Sequence, residues 1–415
     1  MIKLEVGNAP NPHSFRFSFS MKPELNISQF ESELYQNILP FWMHHAPDPE
    51  NGGFVGGLTN DLIVRNDVPR TAVVCTRYLW TFSHAFLVTG NEDYLEIAHR
   101  AYQYIKSAFW DNVYGGLFWS VGRNGLVVQE RKHSYAQAFG IYGLSEYFKA
   151  TGLAESLDLA NGLFTLLEAH AFDHIYGGYF EGYARDWSPL QDMRLGKDDL
   201  NCQKSMNTML HILEAYTNLI KVANDKRVIS QLLKIIPLFQ TKIIEPADHF
   251  LLYFNDAWIP LSDHLSYGHD IEGSWLLMEA AEVIGDKALM QSVTKSALQL
   301  AHAVLKDGVR DDNAIIQEAL PGKITNPNIE WWPQAEAVVG FFNAFQMTGE
   351  KKYQIASEKS WKFINDFLVD RQFGGWIKRL LPDLSTHKDS FKAGPWEGPY
   401  HEARMCFEMI KRLGG

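Results

Sequence analysis

The stretch SYGHDIEGSWLL, residues 266–277, places an imidazole (His269) and two carboxyls (Asp270 and Glu272) in one turn ahead of an otherwise apolar run. Carboxylates at a helix start also cap free backbone donors and suit the helix dipole, so one such turn says little. Five further segments repeat the arrangement. VVCTRYLWTFSHAF carries Arg77 and His84, and RKHSYAQAF carries His133, Tyr135 and Gln137. DDLNCQKSMNTMLHILEAY carries Asp199, Asn207, His211 and Glu214. IEWWPQAEAVV carries Trp331, Trp332, Gln334 and Glu336, and GPWEGPYHEARM carries Trp396, Tyr400, His401, Glu402 and Arg404. Histidine and arginine have the wrong charge for a helix N-terminus. Six polar openings therefore point to a shared chamber more than to capping.

The chemistry on offer is proton transfer. Imidazole titrates near neutrality and can take or give a proton. A carboxyl one turn away can orient it or stabilise its charge, and an arginine can stabilise a developing oxyanion. Tryptophans at helix starts suit the apolar faces of a sugar. His269 and Glu272 share a helix face, and His211 and His401 could join them on a metal. However, no HExxH, paired ExxH or DxD spacing is present, so no metal is expected. There is no GxSxG motif, and neither GNAPNP nor the YGG turns form a phosphate loop, so no nucleotide cofactor is expected.

Those openings need elements to aim them. Apolar helical patterns stop at Gly90, Gly152, Asn224, Gly285, Gly349 and Gly414, at intervals of 61 to 72 residues. Glycine or asparagine just past a helix is the usual left-handed cap, and a near-constant interval marks an internal repeat. Each unit has an apolar helix before its cap and an amphipathic one after it, then a strand-like turn such as YGGLFWSV, YGGYFEGY or FGGWIKRL. NGGFVGG at 51–57 fits the same place. The last unit lacks its second helix, which ISQFESELYQNILPFW at 27–42 can supply. The expectation is an all-α fold, an (α/α)6 barrel of six helical hairpins with short β-like turns between repeats. An open superhelix is the alternative. Residues 1–20 read as a candidate N-terminal extension before a single catalytic domain over 21–415.

The long motifs RKHSYAQAFGIYGLSEYFKATG, KSMNTMLHILEAYTNL, SYGHDIEGSWLLMEAAEVIGD, EWWPQAEAVVGFFNAFQMTG and KAGPWEGPYHEARMCFEMIKRL resemble the N-acylglucosamine 2-epimerase superfamily. Within it they are most similar to the cellobiose 2-epimerase and mannose 2-epimerase branch. The resemblance implies the (α/α)6 barrel and inversion of C2 of an aldose through an enediolate, without a redox cofactor. It implies His269 and His401 as the two acid/base residues and His211 as a third active-site histidine. It assigns Arg77, Tyr135, Asn207, Asp199, Glu272, Trp332 and Trp396 to sugar binding or to support of the histidines. The disaccharide branch has NTHLH, Lys-Cys after the last tryptophan, and Asn after the last histidine. This chain has NTMLH, Glu397-Gly398 and Glu402. Those departures favour free D-mannose/D-glucose as substrate, with cellobiose as the alternative. A glycoside hydrolase using Asp199 and Glu272 and a non-catalytic sugar-binding protein are the competing classes.

The whole chain sets bounds on these readings. A formal charge of −11 argues against nucleic acid or an anionic membrane as partner. No run approaches the length of a membrane span or a secretory signal core. Cys75, Cys202 and Cys406 are scattered and have no metal-ligand spacing, which suits a reducing cytoplasm. The expected partner is a small-molecule sugar, and the expected assembly a monomer or homodimer.

Overall fold

Apolar helices that must be buried on nearly every side can satisfy this by standing in a ring with a second ring around them. The computed structural model, which describes residues 25–244 and 248–414, has this arrangement. The candidate extension over residues 1–20 lies outside the described residues.

The inner helices are α3 (Ala72–Thr89), α5 (Ser134–Thr151), α7 (Met206–Ala223), α9 (Tyr267–Ile284), α11 (Trp331–Thr348) and α13 (Tyr400–Gly414). Each packs on the next, and α13 packs back on α3, so the ring is closed rather than an open superhelix. The outer helices are α4 (Glu92–Tyr104), α6 (Ala154–Leu166), α8 (Lys226–Leu238), α10 (Lys287–Ala303) and α12 (Lys351–Phe363). The twelfth place is filled from the other end of the chain by α1 (Ile27–Ser32) and α2 (Leu39–His45), joined by a π-helical turn at Glu33–Ile38. This segment packs on α13, and Phe30 meets Trp361 of α12 with ring centroids 4.6 Å apart.

The expected caps at Gly90, Gly152, Asn224, Gly285 and Gly349 all adopt left-handed backbone, with φ between 42° and 76°. Gly414 does not cap. It remains helical, because the twelfth helix is already in place and no turn into an outer helix is needed. The YGG turns need two successive positive φ values, 71° and 77° at Gly115 and Gly116, which glycine adopts without strain.

The strand-like segments form staples at one end of the ring. Arg70–Thr71, just ahead of α3, pairs antiparallel with Ser120–Val121. Lys132–His133 pairs likewise with Gly182–Tyr183, and Lys204–Ser205 with Tyr253–Phe254. Leu265–Ser266 pairs with part of Glu318–Leu320, and Ile329–Glu330 with Arg379–Leu380. Leu58–Thr59 pairs with Phe391–Ala393 and ties the two ends of the chain. Each staple therefore fixes the direction in which the chain enters an inner helix.

Buried cations hold the YGG turns. Lys204 is fully buried and bonds Asp173 Oδ2 at 2.6 Å, Gly177 O at 2.8 Å and Asp256 O at 2.6 Å. Asp173 Oδ1 in turn accepts the amides of Ile175 and Tyr176. Lys132 and Lys392 repeat the arrangement with Asp111 and Asp370, and Arg70 does so with Asp48. Lys204→Met removes the cation and leaves Asp173 buried without it. Losing one partner of a buried pair costs about 3–5 kcal/mol, so denaturant unfolding should show a loss of that size. A loss near zero would mean that the turn does not depend on the pair.

Candidate active site

At the stapled end the inner-helix starts surround one cavity of about 720 Å³. Arg77, Tyr135, Asp199, Asn207, His211, His269, Glu272, Trp332, Trp396 and His401 all line it. Their positions follow from local folding: a staple sets each inner helix's entry, so residues in the first two turns reach the axis. Trp396 arrives from the turn ahead of α13, and Asp199 also arrives differently. It lies in the loop before the Lys204–Ser205 staple, where its carboxylate accepts Gly196 N at 2.7 Å and Tyr253 OH at 3.1 Å.

Three histidines face the chamber with different backing. His401 Nδ1 lies 2.7 Å from Glu336 Oε1, and Glu336 Oε2 accepts from Trp275 Nε1 at 3.1 Å. Arg404 also donates to Glu336 Oε1, at 2.7 Å. An oxygen already accepting from a guanidinium makes Nδ1 the donor, which leaves His401 Nε2 as the free nitrogen. His211 Nδ1 is paired with Glu214 Oε2 at 2.8 Å, and His269 Nδ1 with the neutral Ser266 hydroxyl at 2.7 Å. Trp332 lies against two imidazoles, with ring centroids 4.7 Å from His269 and 5.7 Å from His401. Those histidines come from α9 and α13, on different hairpins.

Burial keeps both of these imidazoles neutral. His269 has an edge open to the chamber, yet the surrounding walls, and secondarily His211, push its pKa down to about 3. Desolvation, then the positive Arg77 and Arg404, holds His401 well below the usual histidine range. Arg77 donates to Tyr135 OH at 3.0 Å and to Trp396 O at 3.3 Å, and its guanidinium lies over the Phe139 ring. Tyr135 in turn packs edge-on against His211.

Arg404 is the buried hub. Its guanidinium bonds Glu214 and Tyr400 through one nitrogen and Glu272 and Glu336 through another. Burial would raise the carboxyl pKa of Glu214, but the charge of Arg404 and the hydrogen bonds from His211 and Tyr400 bring it down to about 2. Burial, then the like charge of Glu336, outweighs Arg404 at Glu272 and raises it to about 7. Glu272, Glu336 and His401 bring ligand-type atoms within 4.8 Å of one another, the kind of cluster that can hold a divalent ion. Arg404 already bonds both carboxylates, so the cation in this cluster is internal.

Several residues of the polar openings serve the fold instead. Asp270 accepts from His249 Nδ1 and from Phe250 N, both at 2.7 Å, and so anchors the segment before α9. Gln137 bonds both backbone groups of Leu117, and Gln334 both of Ile315. His84 lies deeper in the ring, 2.7 Å from Glu146. His133 is fully buried, 3.2 Å from Met193 O. Glu402 turns outward to Lys378 and Trp42, so this departure from the disaccharide branch does not touch the chamber. Of the remaining departures, Glu397 lines it and Met209 of NTMLH does not. Glu181, Gln317, Glu330 and Arg379 also line the cavity and were missed. They sit in or beside the staples, where two-residue strands leave almost no periodic signal.

A closed double ring of helices around a chamber of imidazoles, carboxyls and tryptophans defines an (α/α)6 protein equipped for proton transfer. The chain belongs to the N-acylglucosamine 2-epimerase (GlcNAc 2-epimerase) family, whose profile matches residues 35–404, and it is a carbohydrate epimerase. It is 40% identical to a cellobiose 2-epimerase of Bacteroides fragilis over 93% of this chain and 99% of that protein. The solved cellobiose 2-epimerase of Bacillus thermoamylovorans superposes with a TM-score of 0.88 at 37% identity, covering 93% of this chain and 99% of that one. A D-mannose isomerase of Marinomonas mediterranea is 24% identical, over 94% of this chain and 99% of that protein. Among the described residues, no helix is long and apolar enough to cross a membrane.

Proposed function

We propose that this cavity inverts C2 of the reducing-end glucose unit of a β-1,4-linked disaccharide, with His269 and His401 as the two proton-transfer residues. The observation that carries the reading is the pair of neutral imidazoles on separate hairpins, both against Trp332 in one chamber. An open-chain aldose has a weakly acidic C2–H beside its carbonyl. Removing that proton gives an enediolate, and returning one from the opposite face inverts C2. Two bases on opposite faces are required, and neutral imidazole suits the task. Arg77 and His211 line the same cavity and can stabilise the enediolate oxygens. Trp332 and Trp396 offer stacking faces, while Tyr135, Asn207, Asp199 and Glu272 supply hydroxyl partners.

The comparisons support a β-1,4-linked disaccharide better than the monosaccharide preference read from the sequence. Relatives named cellobiose 2-epimerase are 34–40% identical to this chain, whereas the D-mannose isomerase is 24% identical. The departure at Glu402 lies outside the chamber and loses its weight against a second sugar ring. A volume of about 720 Å³ lies well inside the range of about 300–1,000 Å³ for ligand pockets and leaves room for that ring.

Incubation in D₂O with cellobiose and, separately, D-mannose, followed by proton NMR, tests the reading. Glucosyl-mannose with deuterium at C2 is expected from cellobiose, at a higher rate than D-glucose from D-mannose. Faster conversion of mannose would restore the monosaccharide preference. No exchange with either sugar would sink the assignment, and shortened saccharides would indicate a hydrolase.

A further inference from the structure

Inversion at C2 requires one free imidazole and one protonated imidazole at the same moment. His269 and His401 are both neutral in the free protein, so a proton has to be supplied. Glu272 is placed to supply it. Its side chain is 1% exposed, and its Oε1 is held by Arg404. Its Oε2 is buried without a hydrogen-bond partner, in a residue that lines the cavity.

The groups around Glu272 fix its charge. Glu336 on α11 shares the Arg404 guanidinium, and Glu214 on α7 takes another of its nitrogens. His211 on α7, Tyr135 on α5, Tyr400 and His401 on α13 and His269 on its own helix also face this space, with His401 Nδ1 4.0 Å from Glu272 Oε1. Three carboxyls thus share one guanidinium in a buried space. Like charges at such range do not all ionise, so one keeps a proton. Glu214 and Glu336 each accept several hydrogen bonds. Burial raises the carboxyls of both Glu336 and Glu272, the latter to about 7, but only Glu272 has an unpartnered oxygen that can carry the proton.

We propose that Glu272 enters the cycle as a neutral carboxylic acid, giving its proton to the sugar ring oxygen while His401 takes the proton of the anomeric hydroxyl. The C1–O5 bond breaks, O5 becomes a hydroxyl, and C1 becomes an aldehyde. Glu272 is left as carboxylate and His401 as imidazolium. His269 then takes the C2 proton, and His401 returns its own to the opposite face. On ring closure O5 gives its proton back to Glu272, and His269 protonates O1. Both imidazoles and the carboxyl end neutral, as they began, with no outside acid or oxidant. Ring opening thereby supplies the one proton that inversion uses. This step rests on the epimerase reading above.

Glu272→Gln keeps a neutral group of the same shape but has no transferable proton. Turnover of cellobiose should fall about 10²–10³-fold, within the usual range for a lost general acid. C2–H exchange of 4,5-di-O-methyl-D-glucose, which cannot close to a five- or six-membered ring, should stay near the wild-type rate. In the wild type, kcat/KM for cellobiose should decline as pH rises past about 7, and that for the open-chain sugar should not. Independently of any substrate, infrared difference spectra of wild type against Glu272→Gln at neutral pH should show a protonated-carboxyl band. Absence of that band, equal losses on both sugars, or full activity of the variant on cellobiose would overturn the proposal. A wild type that shows the band but exchanges neither sugar would overturn the epimerase reading instead.

Discussion

Replacing His269 or His401 with alanine is expected to reduce epimerisation by at least about 10²–10⁴-fold, the range for a lost general acid or base, while leaving the fold intact. The fold survives because neither ring bridges the core: His269 bonds only the Ser266 hydroxyl at its helix start, and His401 bonds Glu336, which keeps Arg404 and Trp275 as partners. The two variants should also differ in kind. With one base gone, slow C2 exchange should persist from one epimer only, the one whose C2–H faces the remaining imidazole. The other variant should exchange the other epimer. Proton NMR in D₂O, starting separately from cellobiose and glucosyl-mannose, reads this directly. Wild-type-like turnover in either purified variant, or exchange of both epimers by one variant, would remove the two-base scheme.

The ring itself was legible because its signals come from residues with special backbone chemistry. Five of the six cap positions needed positive φ, and glycine or asparagine advertises that requirement. Eight of the ten assigned chamber residues lie in the first two turns of inner helices, Asp199 and Trp396 lie in the segments ahead of them, and all ten line the cavity. Other features left no mark. The outer helices end in π-helical turns such as Ile105–Phe109 and Leu167–Ala171, where a shift of backbone hydrogen bonding requires no particular residue. Lys132 and Lys204 carry no mark of burial in the sequence, yet both are fully buried, paired with Asp111 and Asp173 in preceding turns. Asp270 and Glu272 show the same difficulty two residues apart. One anchors backbone and the other lines the chamber, a difference set by which neighbours each carboxyl meets.

Arg404→Met should be the most destabilising single change in the chamber, and its effect should depend on pH. The substitution keeps a long apolar side chain but removes the one cation bonded to Glu214, Glu272 and Glu336. Breaking a buried ion pair by removing one partner costs about 3–5 kcal/mol, and here three carboxyls lose the same partner. In the wild type the Glu214 pKa is held down to about 2. A carboxylate depressed in the folded state stabilises the fold above its unfolded pKa and loses that contribution as pH falls. Without Arg404 the same carboxyl is buried beside two others, so its folded pKa rises above the unfolded value. The linkage then reverses: stability is present below the unfolded pKa and is lost as pH rises through the folded one. Denaturant unfolding at pH 5 and pH 8 should therefore show a larger deficit at pH 8, narrowing as the carboxyls take up protons. A deficit independent of pH would mean that Arg404 acts by packing alone, over the Trp275 and Tyr400 rings, rather than as the shared counter-charge.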